Sequence, residues 1–224
     1  MWRLIILVSA IPFIAGGLAA HLLGVRFLKR SMQTHLDVET LMKKLLLLSG
    51  HADDVVQYST KYWSAASNLN EKQFVLDEKI RTNRDVNSLA HAAIQFGLYS
   101  LQREHSATIQ WRVKVVKSGY LLPTFVILIA LFTSLVGKLP VKIALAAVAA
   151  SFGFITVMLW LSMPVEREAG KYAAELIEEH RLFARIREEE AVVRAIHATV
   201  WTSLIPGVLR KLIVGSPAIK SPDS

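Results

Sequence analysis

The stretch that decides the fold reads YLLPTFVILIALFTSLV over residues 120–136, GKLPVK over 137–142 and IALAAVAASFGFITVMLWL over 143–161. The first and third pieces are apolar runs near bilayer length, with no charged residue in either. Lys138-Leu139-Pro140-Val141-Lys142 is only long enough to turn the chain back, so the two runs predict an antiparallel membrane hairpin. A third run extends from Leu4 to Val25, with Pro12 and Gly16-Gly17 inside it. A cleaved signal peptide competes for this segment, because Ala19-Ala20 mimics a cleavage site. Its apolar character continues through Leu22-Leu23, however, and the stronger positive cluster, Arg26, Lys29 and Arg30, follows it. Those features favour a retained anchor.

Three such runs in 224 residues that are 53% hydrophobic place the chain among membrane proteins, with room for one compact domain. With no cysteine, disulfides and Cys-based metal or redox sites are excluded. A net charge of +8 raises nucleic acid as a partner, but no aromatic-basic module accompanies it, so no nucleic-acid binding is expected. Beside membrane spans, Lys and Arg set orientation and meet anionic lipid. Residues 26–118 carry fourteen Lys and Arg, and eight more follow Arg167, whereas the hairpin loop has only Lys138 and Lys142. The middle segment and tail are therefore expected in the cytoplasm, with the N-terminus and hairpin tip outside.

Between the spans, Asp37 to Ser49 reads as an amphipathic helix, with Leu41, Leu45, Leu46 and Leu48 apolar and Gly50 as its stop. Asp54–Trp63 and Lys72–Ile80 are rich in β-branched and aromatic residues and predict a short hairpin or two edge strands. A long helix follows from Asn83 or Asp85, its cap candidates, and runs towards the second span. Pro164 is expected to end the third span, with Glu166 opening a cytosolic helix. Val192, Ile196, Val200, Leu204 and Val208 recur at helical spacing in the tail, which is expected to pack on the cytosolic part or lie in the interface. Glu188-Glu189-Glu190 before them reads as a solvated first turn. Ser216 to Ser224 reads as a disordered tail.

Within the long helix, His91-Ala92-Ala93-Ile94-Gln95 stands where a zinc protease carries His-Glu-x-x-His. That motif puts two imidazoles one turn apart on one zinc ion, with the glutamate as general base. Here the first histidine is present, Ala92 replaces the base and Gln95 replaces the second ligand. In the alternative register His91 is the second histidine, and Asn87 and Ser88 take the other two places. Either way one histidine remains and no base. His105, four turns along, is roughly 21 Å from His91 by helical rise and cannot share its ion. His21 sits near the cytosolic end of the first span. His35, His51, His180 and His197 show no ligand spacing.

The order of these elements resembles the YugP-like family of bacterial membrane zinc metallopeptidases. The correspondence covers the anchor Leu4 to Val25, the strand-like Phe74-Val75-Leu76 and the helix containing Ser88-Leu89-Ala90-His91. It continues with Met163-Pro164-Val165-Glu166-Arg167-Glu168-Ala169-Gly170 after the hairpin, then Glu178-Glu179 and the alanine-rich Ala191 to Thr202. The resemblance implies that Glu166 is the counterpart of a glutamate zinc ligand and approaches the His91 helix. His91, Gln95 and Glu166 are then the remnant positions of a metal site. Two protein ligands fall short of the three that a catalytic zinc requires.

The expected protein is thus mainly α, with three transmembrane helices, a small α+β cytosolic segment and a C-terminal helical tail. Its parts are an anchor over 1–30, a cytosolic α+β segment over 31–118, the transmembrane hairpin over 119–163, a cytosolic or interfacial helical tail over 164–215 and the disordered 216–224. Its expected role is that of a catalytically inactive metallopeptidase homologue in the bacterial cytoplasmic membrane, with no cofactor. It would serve as a structural or regulatory subunit beside other membrane proteins or an active paralogue, with an anionic lipid surface as a further partner. The alternative is an active membrane zinc metallopeptidase with an atypical site using His91 and Glu166. If those two are neighbours, Ala92→Glu with Gln95→His would complete a three-ligand set.

Overall fold

A computed structural model describes residues 2–28, 32–60, 69–70, 73–104, 106–137, 139–206 and 209. It is mainly helical, and three of its helices are long and apolar enough to cross a membrane. The first, α1, spans Trp2–Leu28 and widens to a π turn over His21–Val25. Helix α2, Val38–Leu48, begins where Asp37 Oδ1 accepts the Thr40 amide at 2.7 Å, a bond that holds the Asp37 carboxyl below its ordinary value. It ends before Gly50, whose φ of 75° is the left-handed conformation that glycine adopts without strain. Leu41, Leu45 and Leu46 are buried as the periodicity predicts.

Strands β1 (Val55–Ser59), β2 (Leu69–Asn70) and β3 (Gln73–Asp77) form a small sheet in the order β1-β3-β2. The two expected strands do pair, Val56 opposite Phe74 and Tyr58 opposite Leu76, but they run parallel, not as a hairpin. A parallel pair needs a crossover of about a dozen residues, and the thirteen residues from 60 to 72 provide it. β2 lies within that connection and pairs antiparallel with β3. Residues 61–63 of the expected first strand lie outside the described residues.

Helix α3, Val86–Glu104, is capped by Asp85, whose Oδ1 accepts the Asn87 and Ser88 amides at 3.1 and 3.0 Å. Helix α4, Ser106–Leu135, follows after a single residue and enters the expected span fourteen residues before its apolar run starts. Gly137, at φ 71°, begins the turn to α5, Val141–Glu179. The hairpin is therefore present, with Lys138 of its loop outside the described residues. Pro164 does not end the helix, and Glu166 does not open a new one, because α5 runs unbroken through both, 39 residues and about 58 Å in all. An interior proline costs about 3 kcal/mol. Buried packing on both sides, from Ser162 and Met163 to Val165, Ala169, Ala173 and Ile177, offsets that cost. Arg181, at φ 48°, turns the chain into α6, Ile186–Thr202.

The directions of the long helices follow from their close approaches. Trp2 lies against Lys142, Ser9 meets Gly153, and Gly16 meets Thr156 and Trp160, so α1 and α5 run parallel. Gly119 on α4 meets Ile155, and α4 runs antiparallel to both. The Trp2 end of α1 and the α4–α5 turn therefore share one end of the bundle. At the other end α2, β3, α3, α6 and the last turns of α5 enclose the core, including Leu41, Phe74, Leu89, Phe96, Ile177 and Ile196. The tail stripe Val192, Ile196, Val200 and Leu204 is buried there, at the sheet-containing end. Val208 lies outside the described residues.

Candidate functional site

Helix α3 carries His91 to the edge of this core. Its neighbours Ala90, Ala92 and Ala93 are fully buried, Gln95 is nearly so, and His91 itself is half-buried. The general-base position is therefore filled by an apolar contact, with no space for a carboxylate. One turn and a half further on, α3 meets α5 backbone to backbone. A Cβ at Gly97 would collide with the carbonyl oxygen of Ala169. The helices run antiparallel through this crossing, with Ile94 near Gly170 and the Phe96 ring stacked on Tyr172 at 6.2 Å.

That register fixes where Glu166 lies relative to His91. From the Gly97–Ala169 crossing, His91 is six residues along the bundle one way and Glu166 three residues the other, about 13 Å apart in level. Glu166 does belong to a helix packed on α3, as the resemblance implies, but its carboxylate is engaged elsewhere. Arg112 of α4 donates to Glu166 Oε1 from both Nε, at 2.7 Å, and Nη2, at 2.6 Å. Both side chains are buried, at 7% and 4% exposure. Buried charges persist when paired and hydrogen-bonded in this way. Ile109, Arg112 and Val115 share one buried face of α4, so of the three cations at 112, 114 and 117 only Arg112 points inward.

Among the described residues no three His, Asp or Glu side chains converge as a metal site would require. Of the other histidines, His105 lies outside the described residues. His51 contacts Ser49 at 3.0 Å, and His35 enters a cluster that the sequence did not announce. Its Nδ1 donates to Glu188 Oε2 at 2.6 Å and its backbone amide to the same oxygen at 3.2 Å. These bonds hold the Glu188 carboxyl below its ordinary value against the opposing effect of burial. Beside it, Glu189 Oε1 accepts from Arg181 at 2.8 Å, while its other oxygen is buried with no hydrogen-bond partner among the described residues. Glu188 and Glu189 are thus not a solvated first turn: each is 3% exposed. The signal was their position one turn before the buried Val192 and Val193.

A cleft of about 660 Å³ lies between α2, β1 and the turn at Glu78–Arg81. Glu39, Lys43, Tyr58 and Arg81 line it. Arg81 and Lys43 hold the Glu39 carboxyl down at about 2 by donating to it, and burial pushes the Tyr58 hydroxyl up to about 12. Its charges are paired with one another: Arg81 Nε lies 2.8 Å and Lys43 Nζ 2.9 Å from Glu39. This arrangement offers neither a nucleophile with a base nor a free general acid.

Fold and site together define a mainly helical protein in which three long apolar helices emerge from a small sheet-containing core. No protein-family model, no curated protein and no solved structure matches the chain.

Proposed function

We propose that this chain is an integral membrane protein that works by association and carries no metallopeptidase centre: a structural or regulatory subunit of an assembly in a bacterial cytoplasmic membrane. The observation that carries the reading is the Arg112–Glu166 pair. Glu166, the carboxylate that the resemblance makes a zinc ligand, is closed off by a guanidinium, about 13 Å in level from His91. Ala92 in the core supplies no base. A folded chain without such a centre suits a protein whose surfaces matter.

Membrane residence is supported by the surfaces of the three long helices. Leu7 and Ile14 on α1, Phe125 and Leu128 on α4, and Leu145 and Phe154 on α5 are all exposed. Side chains of this kind are stable facing lipid, not water. Lys142, stacked on Trp2, and Trp160 are eighteen residues apart on α5, about 27 Å by helical rise. That span is close to the ~30 Å hydrocarbon core of a bilayer. The charge bias puts the hairpin tip outside and the sheet-containing end in the cytoplasm.

Purification in mild detergent tests the functional reading. A stoichiometric membrane partner and substoichiometric zinc are expected. One zinc per chain that disappears in His91→Ala overturns it, and so does a chain that remains alone at its monomer mass. Because the chain has no cysteine, Leu47→Cys and Val141→Cys report orientation without background. An impermeant reagent should label only position 141 in intact cells.

A further inference from the structure

Among the described residues six cations of the sheet-containing end have a carboxylate partner and Lys44, Lys79, Arg84 and Arg187 do not, while at the junction with the apolar helices only Arg112 is so paired. Lys43, Arg81, Lys171, Arg181, Arg185 and Arg194 each have a carboxylate within 4 Å. Arg26, Lys114, Lys117 and Arg167 are exposed, and none has such a partner among the described residues. No Asp or Glu occurs before Asp37 or between residues 106 and 165, so the junction is short of anions by sequence.

These four cations fall within one band across the bundle. Arg112 meets Glu166 and Gly119 meets Ile155, which brackets Lys114 and Lys117 on α4. Arg167, beside Glu166, lies over the Trp201 ring of α6 at 5.7 Å. Gly24 of α1 packs against Ala198 and Thr202 in that same turn of α6, which brings Arg26 to the Arg167 level. The whole set falls within roughly 15 Å along α5. Lysine and arginine side chains extend along such a boundary with their heads in the polar layer. On α5 the acids at this level are exposed Glu168 and Glu166, which Arg112 neutralises, and the end of α3 brings Glu104 near the same level. Trp111, Trp160 and Trp201 stand at the same boundary, where indoles favour the headgroup region. At the opposite end Arg3 and Lys142 both rest on the Trp2 ring.

We propose that Arg26, Lys114, Lys117 and Arg167 form a collar that binds anionic phospholipid headgroups of the surrounding bilayer. The inference rests on the reading that the three helices span a membrane. The ligand is a phosphodiester headgroup without a compensating cation, such as phosphatidylglycerol. A zwitterionic phosphatidylcholine headgroup carries its own ammonium and competes poorly.

The test uses the whole chain reconstituted in phosphatidylcholine vesicles with dansyl-labelled phosphatidylglycerol or dansyl-labelled phosphatidylcholine at equal mole fraction. Tryptophan emission at the collar transfers energy to nearby label. Transfer to the anionic probe should exceed transfer to the zwitterionic one by about threefold. Parity should return in Arg26→Gln/Lys114→Gln/Lys117→Gln/Arg167→Gln and, for the unaltered chain, at about 0.5 M salt, where screening is strong. Equal transfer by the unaltered chain at low salt overturns the proposal, as does a preference that survives in the fourfold variant. A preference abolished by inorganic phosphate at matched ionic strength also overturns it, since the site would then be one for free phosphate. Vesicles that lose the protein to an alkaline wash overturn the spanning reading and the collar with it; retained protein with equal transfer overturns the collar alone.

Discussion

Arg112 gives two of its donors, Nε and Nη2, to a single oxygen of Glu166, 54 residues away and on the neighbouring helix of the hairpin. The pair ties α4 to α5 where the apolar spans meet the soluble core. It explains how a glutamate can follow the third span at a buried position without opening the fold.

Removing one partner is more harmful than removing both. Arg112→Ala leaves a buried, uncompensated carboxylate and should destabilise the protein by about 3–5 kcal/mol. The double change Arg112→Met/Glu166→Leu replaces the pair by apolar volume and should cost less than Arg112→Ala alone. Unfolding of the parent, Arg112→Met, Glu166→Leu and the double variant in one detergent, as a double-mutant cycle, measures the coupling, with Arg112→Ala beside them. Additive losses would mean that the pair is not coupled.

At Gly97 two effects oppose each other. Alanine raises helix propensity by about 1 kcal/mol over glycine. A Cβ there strikes the Ala169 carbonyl oxygen, backbone that cannot swing aside, so α3 and α5 must separate. Overpacking of that kind costs about 1–3 kcal/mol and loosens every contact of the crossing, so the clash wins. Gly97→Ala should lower the melting temperature, while Gly17→Ala, which meets nothing within 4 Å, should not. Equal melting for both would show that the crossing is looser than the structure has it.

The His35–Glu188 contact makes a pH prediction with a definite sign. The folded-state pKa of Glu188 is lowered, chiefly by the hydrogen bond from His35. Stability from this carboxylate is therefore present above the ordinary glutamate value of 4.5 and lost as pH falls below it. Glu188→Gln should flatten the acid limb of the stability curve and lower stability at neutral pH. His35→Ala removes the donor to the buried carboxylate and should cost about 1–3 kcal/mol near neutrality. Unfolding midpoints measured from pH 3 to 7 would decide, and an acid limb unchanged by Glu188→Gln would show that other groups dominate it.

Much of this architecture was legible because composition dictates it. Long uncharged runs such as 143–161 form helices long and apolar enough to cross a membrane, and the Asp37 cap, the Leu41–Leu45–Leu46 stripe and Gly50 mark α2 from end to end. What was not legible depends on partners distant in sequence. Pro164 reads as a terminus locally, and only the burial of turns on both sides keeps α5 intact. The parallel pairing of β1 and β3 leaves no local trace, since strand composition is the same in either direction. Arg112 stands in one cationic stretch with Lys114 and Lys117, and only its spacing from Ile109 and Val115 marks it as inward. The Glu188-Glu189 run looked solvated because acidic runs are usually so, whereas His35 and Arg181 make these two affordable inside.

The sharpest consequence concerns the remnant motif itself. Ala92→Glu with Gln95→His rebuilds the His-Glu-x-x-His pattern on α3, and the four-residue offset puts positions 91 and 95 on one face. If sequence pattern were sufficient, zinc affinity should rise by orders of magnitude, because a third ligand completes the set. The structure argues for the opposite. Glu166, the third ligand, lies about 13 Å in level from His91 and is held by Arg112. Ala92 is fully buried, so a glutamate there enters the core without a partner. The double variant should therefore bind zinc no tighter than its parent and be less stable, since an unpaired buried carboxylate costs several kcal/mol. Calorimetric zinc titration and thermal unfolding of both proteins measure the two halves separately. A large gain in zinc affinity would mean that Glu166 leaves Arg112 for the metal, and the reading of the pair as a closed site would fall. Adding Arg112→Gln to the double variant tests the remaining route, because it frees the carboxylate without moving it. Zinc binding still absent there would show that distance between the levels, not the guanidinium, keeps the site apart.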